Sequence, residues 1–142
     1  MDAGMFQPAP LHPYVLQADV FRLPFPEGEF DVDAASNLLF LLAQHAAALV
    51  ELRRVLCPGG RLCLLNPSEE MSMRAAGQLA DQRGLEGLAR DTLLNWAARA
   101  EAHARWDAVQ LTGLLERAGL KLERTELRVG PGLARLACAT RV

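Results

Sequence analysis

A chain of 142 residues with 51% apolar and 23% charged side chains can bury one core and has too little net charge to resist folding. Its formal charge of −2 comes from 17 acids and 15 bases interspersed along the sequence, which leaves no electrostatic footprint for nucleic acid or an anionic membrane. Cys57, Cys63 and Cys138 show neither CxxC pairing nor a nearby His at zinc spacing, so they read as small core-type thiols of a reduced, cytoplasmic protein, with no metal expected.

Residues 1–13 hold prolines at 8, 10 and 13 and little periodicity, the pattern of a loose arm. Val15 to Ala18 reads as a short apolar strand closed by Asp19. Leu23-Pro24-Phe25-Pro26-Glu27-Gly28 then forces a turn, and Phe30 to Ser36 reads as a second strand. From Gln44 to Leu56 the period becomes helical, with Ala48, Leu49, Leu52, Val55 and Leu56 on one face and Glu51 and Arg54 on the other. Pro58-Gly59-Gly60 reads as a turn, followed by a buried strand from Arg61 to Asn66. Helix, turn and apolar strand make the second half of a βαβ unit, which argues for a parallel sheet covered by helices.

Residues 68 to 106 have helical composition interrupted by Gly84 and Gly87, with Ala89, Leu93, Trp96, Ala97, Ala100 and Ala104 able to form one stripe. Asp107 and Gln110 have capping-box spacing before a helix whose apolar face is Leu111, Leu114, Leu115 and Ala118. Gly119 supplies its stop. Leu120–Val129 and Leu133–Thr140 flank Gly130-Pro131-Gly132 as an antiparallel hairpin.

Three segments in order resemble one family: Gln17-Ala18-Asp19-Val20 with Leu23-Pro24-Phe25 and Phe30-Asp31; Ser36-Asn37-Leu38-Leu39; and Arg54-Val55-Leu56-Cys57-Pro58-Gly59-Gly60. Together they resemble the class I S-adenosylmethionine-dependent methyltransferases that act on small molecules. The resemblance implies a partial Rossmann-like α/β sheet, mostly parallel with a C-terminal antiparallel hairpin and helices on both faces. Residues 14–142 would then form a single methyltransferase-like domain lacking the family's first two strands.

The same resemblance implies that Asp19 and the Val20 backbone recognise adenine, and that Asn37 and Leu38 line the methionine side of the cofactor. Asn66, Trp96 and Trp106 fall where such enzymes hold substrate, as do Met71 and Met73. Read alone, Asp19 is equally a turn-forming residue, Asn66 equally a helix cap, and the aromatic and Met side chains are more often core than pocket. His45 and His103 are the available general bases, each more simply an ordinary surface histidine.

The family's glycine-rich turn and ribose-binding acid have no counterpart, since Gly4 is the only glycine before Gly28. The expected function is methyl transfer from S-adenosylmethionine to a small-molecule acceptor. A non-catalytic binding or dimerising remnant and a fragment of a longer methyltransferase are the alternatives. Without its usual neighbours the Val15 strand would leave an open edge. Either it moves in beside the Phe30 strand, or a second copy covers the edge as a homodimer.

Overall fold

The computed structural model describes residues 14–142; the arm expected over 1–13 lies outside them. Nine elements follow in chain order: β1 (Phe30–Ser36), a 3-10 turn (Leu39–Leu41), α1 (His45–Val55), β2 (Leu56–Pro67), α2 (Met73–Gln82), α3 (Gly87–Ala102), α4 (Ala108–Arg117), β3 (Leu120–Arg128) and β4 (Ala134–Arg141). The sheet order is β1-β2-β4-β3. β1 and β2 pair in parallel, with Asp33 opposite Leu62 and Ser36 opposite Leu65. β4 runs antiparallel to both β2 and β3. Three strands thus point one way, with β4 inserted against them, and the Leu62–Leu65 segment lies inside the parallel pair.

α1 and α4 cover one face of this sheet. Ala48, Leu49 and Leu52 of α1 and Leu111, Leu114 and Leu115 of α4 form one buried cluster with Ala35, Leu62, Leu64, Ala137 and Ala139 of the strands. Alternation along each strand puts every second residue there. The capping box at Asp107 is present in both directions: the Gln110 N–H donates to Asp107 at 2.8 Å, and the Asp107 N–H donates to Gln110 at 3.0 Å.

α2 and α3 build a second cluster beyond the sheet's end, where Ala76, Leu79, Ala97 and Ala100 pack with Phe40, Met71 and Leu133. Val32, Ala34, Cys63, Leu65, Leu136 and Cys138, which alternate onto the other sheet face, belong to neither cluster. The expectation of helices on both faces is therefore met on one face and at the strand ends.

The strand expected at Val15–Ala18 is absent. Val15 is 96% exposed and Leu16 59%, and the first pairing is an isolated bridge between Asp19 and Arg22. An apolar run becomes a strand only if a neighbour supplies hydrogen bonds, and none of the described residues does. Nor does this run move in beside Phe30–Ser36: β1 remains the sheet's edge.

Pro58-Gly59-Gly60 also departs from expectation. It lies within β2 as a bulge: Phe30 pairs with Leu56, but Val32 pairs with Arg61. A Cβ on Gly60 would sit 2.8 Å from the Cys57 carbonyl and 3.1 Å from that of Asp31, so only glycine lets the bulge close.

Glu51 and Arg54 do more than face solvent. Glu51 accepts the Leu23 N–H at 3.0 Å and pairs with Arg54 at 2.6 Å, while Arg54 donates to the Leu23 carbonyl at 3.1 Å. This knot ties the proline turn to α1.

Candidate functional site

The chain leaves β1 through Asn37, whose φ of 54° is a left-handed conformation that asparagine tolerates better than most residues. Its N–H donates to the Leu65 carbonyl at 2.7 Å, which fixes this exit against the end of β2. The 3-10 turn that follows buries Leu39 and Phe40. The Phe40 N–H, unable to bond within so short a turn, donates to Asn66 Oδ1 at 3.2 Å.

Between this exit and α3 lies a cavity of about 530 Å³, lined by Asn37, Phe40, Leu41, Leu93, Trp96 and Arg99 among others. It sits beyond the carboxyl ends of β1 and β2, where open α/β sheets place their ligands. Its floor is apolar and aromatic. The polar groups at its margin are Asn37, Thr92, Asn95 and Arg99, and Arg99 is the one charged residue in its lining. The Trp96 indole N–H is buried with no hydrogen-bond partner. Among the described residues, no carboxylate lines the cavity.

The expected site residues separate. Asn37 and Trp96 share the cavity. Leu38 lies beside Asn37 but packs onto the sheet-face cluster. Asn66 is 4% exposed and serves as the strut under Phe40. Trp106 packs against both clusters and meets His45 edge-to-face at 5.1 Å, so it joins the two halves of the core. Met71 is fully buried in the second cluster, whereas Met73 is 40% exposed.

Asp19 stands apart in its own turn, with Oδ1 accepting the Phe21 N–H at 2.9 Å and Arg22 at 3.9 Å from Oδ2. Val20 is partly buried against the sheet-face cluster. Neither candidate histidine lines the cavity: His45 Nδ1 lies 3.2 Å from the Leu42 carbonyl, and His103 stacks edge-on to Phe40 at 6.4 Å.

Thr92, Asn95 and Arg99 lie outside the single helical stripe expected on α3, Leu93 enters it only as a packing residue, and Leu41 belongs to the short turn after β1, which gives no signal of its own. The stripe divides instead. Ala97 and Ala100 enter the core, while Ala89, Leu93 and Trp96 border the cavity.

The fit to S-adenosylmethionine is partial. The strand exit at Asn37 and the adjoining cavity suit the methyl-donating end, and the half-exposed Asp19 carboxylate has lone pairs free for an adenine amine. The described residues provide no glycine-rich turn for the carboxypropyl end and no acid aimed at the ribose.

The chain has relatives among known proteins. The methyltransferase domain family matches residues 4–64. Over 50 residues the chain is 48% identical to a demethylmenaquinone methyltransferase of Thermus thermophilus, a match covering 35% of this chain and 23% of that protein. The chain thus spans about a quarter of the length of that relative.

Among solved structures, an S-adenosylmethionine-dependent methyltransferase of Thermotoga maritima superposes with a TM-score of 0.62 at 16% identity, covering 91% of this chain and 64% of that one. A Burkholderia thailandensis 1,6-didemethyltoxoflavin N1-methyltransferase, solved with its substrate and S-adenosylhomocysteine, gives a TM-score of 0.60 at 15% identity, covering 88% and 49%. No helix of the described residues is long and apolar enough to cross a membrane. The family match thus covers the front of the chain, and the superpositions show that its fold is that of the S-adenosylmethionine-dependent methyltransferases.

Proposed function

We propose that the chain carries the acceptor side of a methyltransferase site, and that methyl transfer from S-adenosylmethionine to a flat small molecule is its activity. The observation that carries this reading is the cavity between the Asn37 strand exit and the Trp96 face of α3. S-adenosylmethionine would supply an already activated methyl group, so the residues here need mainly to orient an acceptor for in-line attack. Phe40 and Trp96 offer aromatic surfaces for a planar body. Asn37 can fix a polar edge at the strand exit, and Leu93 and Leu41 exclude water.

With Arg99 as the charged group of the lining, the acceptor is neutral or anionic; a cationic amine would find no partner. An aromatic hydroxyl or enol fits these conditions, and the demethylmenaquinone named for the Thermus thermophilus relative is supporting company. Asp19, Val20 and Leu38 complete the proposed cofactor contacts, with Asn66 positioning Phe40 and Trp106 bracing the wall.

Calorimetric titration with S-adenosylhomocysteine tests the reading. Weak binding is expected, because the described residues offer no carboxypropyl cradle and each missing hydrogen bond to a charged group forfeits about 1.5–3 kcal/mol. The Asn37→Ala variant should weaken it further. No heat at millimolar ligand would overturn the proposal.

A second reading, a dimerising protein, is favoured by one observation. Among the described residues β1 is an unpaired sheet edge with Val32 59% exposed, and an open apolar edge is a template for another strand. Light scattering showing a stable monomer at micromolar concentration would remove it.

A further inference from the structure

The sheet face that no helix of the described residues covers carries a feature unrelated to the proposed methyl-transfer cavity. Cys63 of β2 and Cys138 of β4 are directly opposed partners in the antiparallel ladder, and their Sγ atoms lie 2.7 Å apart. We propose that this pair is a modification site: a dithiol that closes reversibly into a cross-strand disulfide by exchange with a small-molecule disulfide.

Strand geometry carries the first step of the argument. Opposed residues in an antiparallel ladder have Cα atoms about 4.5–5.5 Å apart. That separation falls inside the range of about 4.4–6.8 Å that a disulfide spans. Closure therefore needs side-chain rotation and no movement of β2 or β4.

Access is the second step. Both thiols are partly exposed and line a surface groove of about 390 Å³ with Arg61, Glu123, Arg124 and Thr140. Arg124 is paired with Glu126, which leaves Arg61 as the guanidinium of the lining unpaired among the described residues, and the open groove gives a small disulfide such as oxidised glutathione a path to the sulfurs.

Reactivity is the third. The neighbouring thiol's hydrogen bond and partial burial push the Cys63 thiol up to about 11, so Cys63 is not a strong nucleophile by itself. Proximity supplies the selectivity. One thiolate attacks the incoming disulfide, forming a mixed disulfide and expelling one thiol. The second cysteine attacks the protein sulfur of that intermediate, which forms the Sγ–Sγ bond and expels the second thiol. Two electrons pass from the cysteine pair to the incoming disulfide, and the two cysteine protons leave on the expelled thiols.

Cys57 serves as an internal reference. It also lies on β2, but its recorded partner is Asp31 Oδ1 at 3.5 Å, not a sulfur.

Equilibrating the folded chain with oxidised glutathione, then alkylating and peptide-mapping without reduction, is the test. Two of the three thiols should disappear, with the Cys63 and Cys138 peptides linked and Cys57 alkylated. The oxidised protein should unfold at a higher urea midpoint, and dithiothreitol should reverse the shift. The Cys57→Ser variant should behave as the parent does, while Cys63→Ser should yield no linked peptide. A link involving Cys57, a bond between two chains, or three thiols that stay free throughout would overturn the proposal. None of these outcomes bears on S-adenosylhomocysteine binding.

Discussion

Asp33 offers the most quantitative check on how this core is built. It lies on β1 opposite Leu62 and alternates onto the same face as Ala35, so its carboxyl points toward the side that α1 and α4 cover. Oδ2 is buried without a hydrogen-bond partner, and burial raises its pKa from 3.8 to about 6. The folded state therefore holds this proton more tightly than the unfolded chain does. Stability contributed by the neutral form is complete below the unfolded value and is lost as pH climbs through about 6.

A shift of roughly two units corresponds to about 3 kcal/mol at most. The side chain keeps some contact with water, which reduces this to about 1–2 kcal/mol above neutrality. Asp33→Asn removes the titration while preserving shape. Urea unfolding of both proteins at pH 4 and pH 8 gives the difference in stability at each pH, and any fixed cost of the new amide cancels between the two pH values. The variant should gain about 1–2 kcal/mol on its parent between the acidic and the alkaline measurement. A difference that stays flat, or that moves against the variant as pH rises, would refute the claim that a buried charge is being formed there.

Other consequences can be checked with single substitutions. Asn66→Leu strands the Phe40 N–H, which should cost about 1–3 kcal/mol in urea unfolding and weaken any ligand that depends on the cavity wall. Gly60→Ala forces a methyl against the Cys57 and Asp31 carbonyls; a loss of about 1–3 kcal/mol is expected, and none would mean that the bulge is soft. Leu64→Ala removes a side chain 1% exposed at the centre of the sheet and should cost about 2–5 kcal/mol. Because Arg54 holds the Glu51 carboxyl below the usual carboxylate range, the knot around Leu23 should loosen as acid protonates Glu51. Glu51→Gln should show that loosening at neutral pH, as faster proteolysis before Phe30.

Most of the architecture was legible because it rests on local signals. The helix at His45–Val55, the division of 68–106 at Gly84 and Gly87, the Asp107–Gln110 cap and the C-terminal hairpin each follow from a few adjacent residues. Val15–Ala18 was misread for the opposite reason. Its apolar run satisfies every local criterion for a strand, but a strand is a relation between two segments, and its partner is absent from the described residues. Pro58-Gly59-Gly60 misled in a subtler way: the composition of a turn is also that of a bulge, and only the register with Asp31 distinguishes them.

The candidate site divides along the same line. Asn37 could be placed because it ends a strand, and the end of a strand is a local property. Arg99 and Leu93 could not, because the way α3 rolls against Phe40 decides which of its residues face the cavity. The cysteines are the clearest instance. Residues 63 and 138 carry no motif in common, and as sequence they read as small core hydrophobes. Their pairing arises from two registers multiplied together, the antiparallel offset of β4 on β2 and the alternation that sends both side chains to the open face. A one-residue slip in β4 would turn Cys138 to the helix-covered side and bring Ala137 or Ala139 opposite Cys63. The chemistry of that face therefore depends on the sheet's register as directly as the lining of the cavity beside Asn37 depends on the roll of α3.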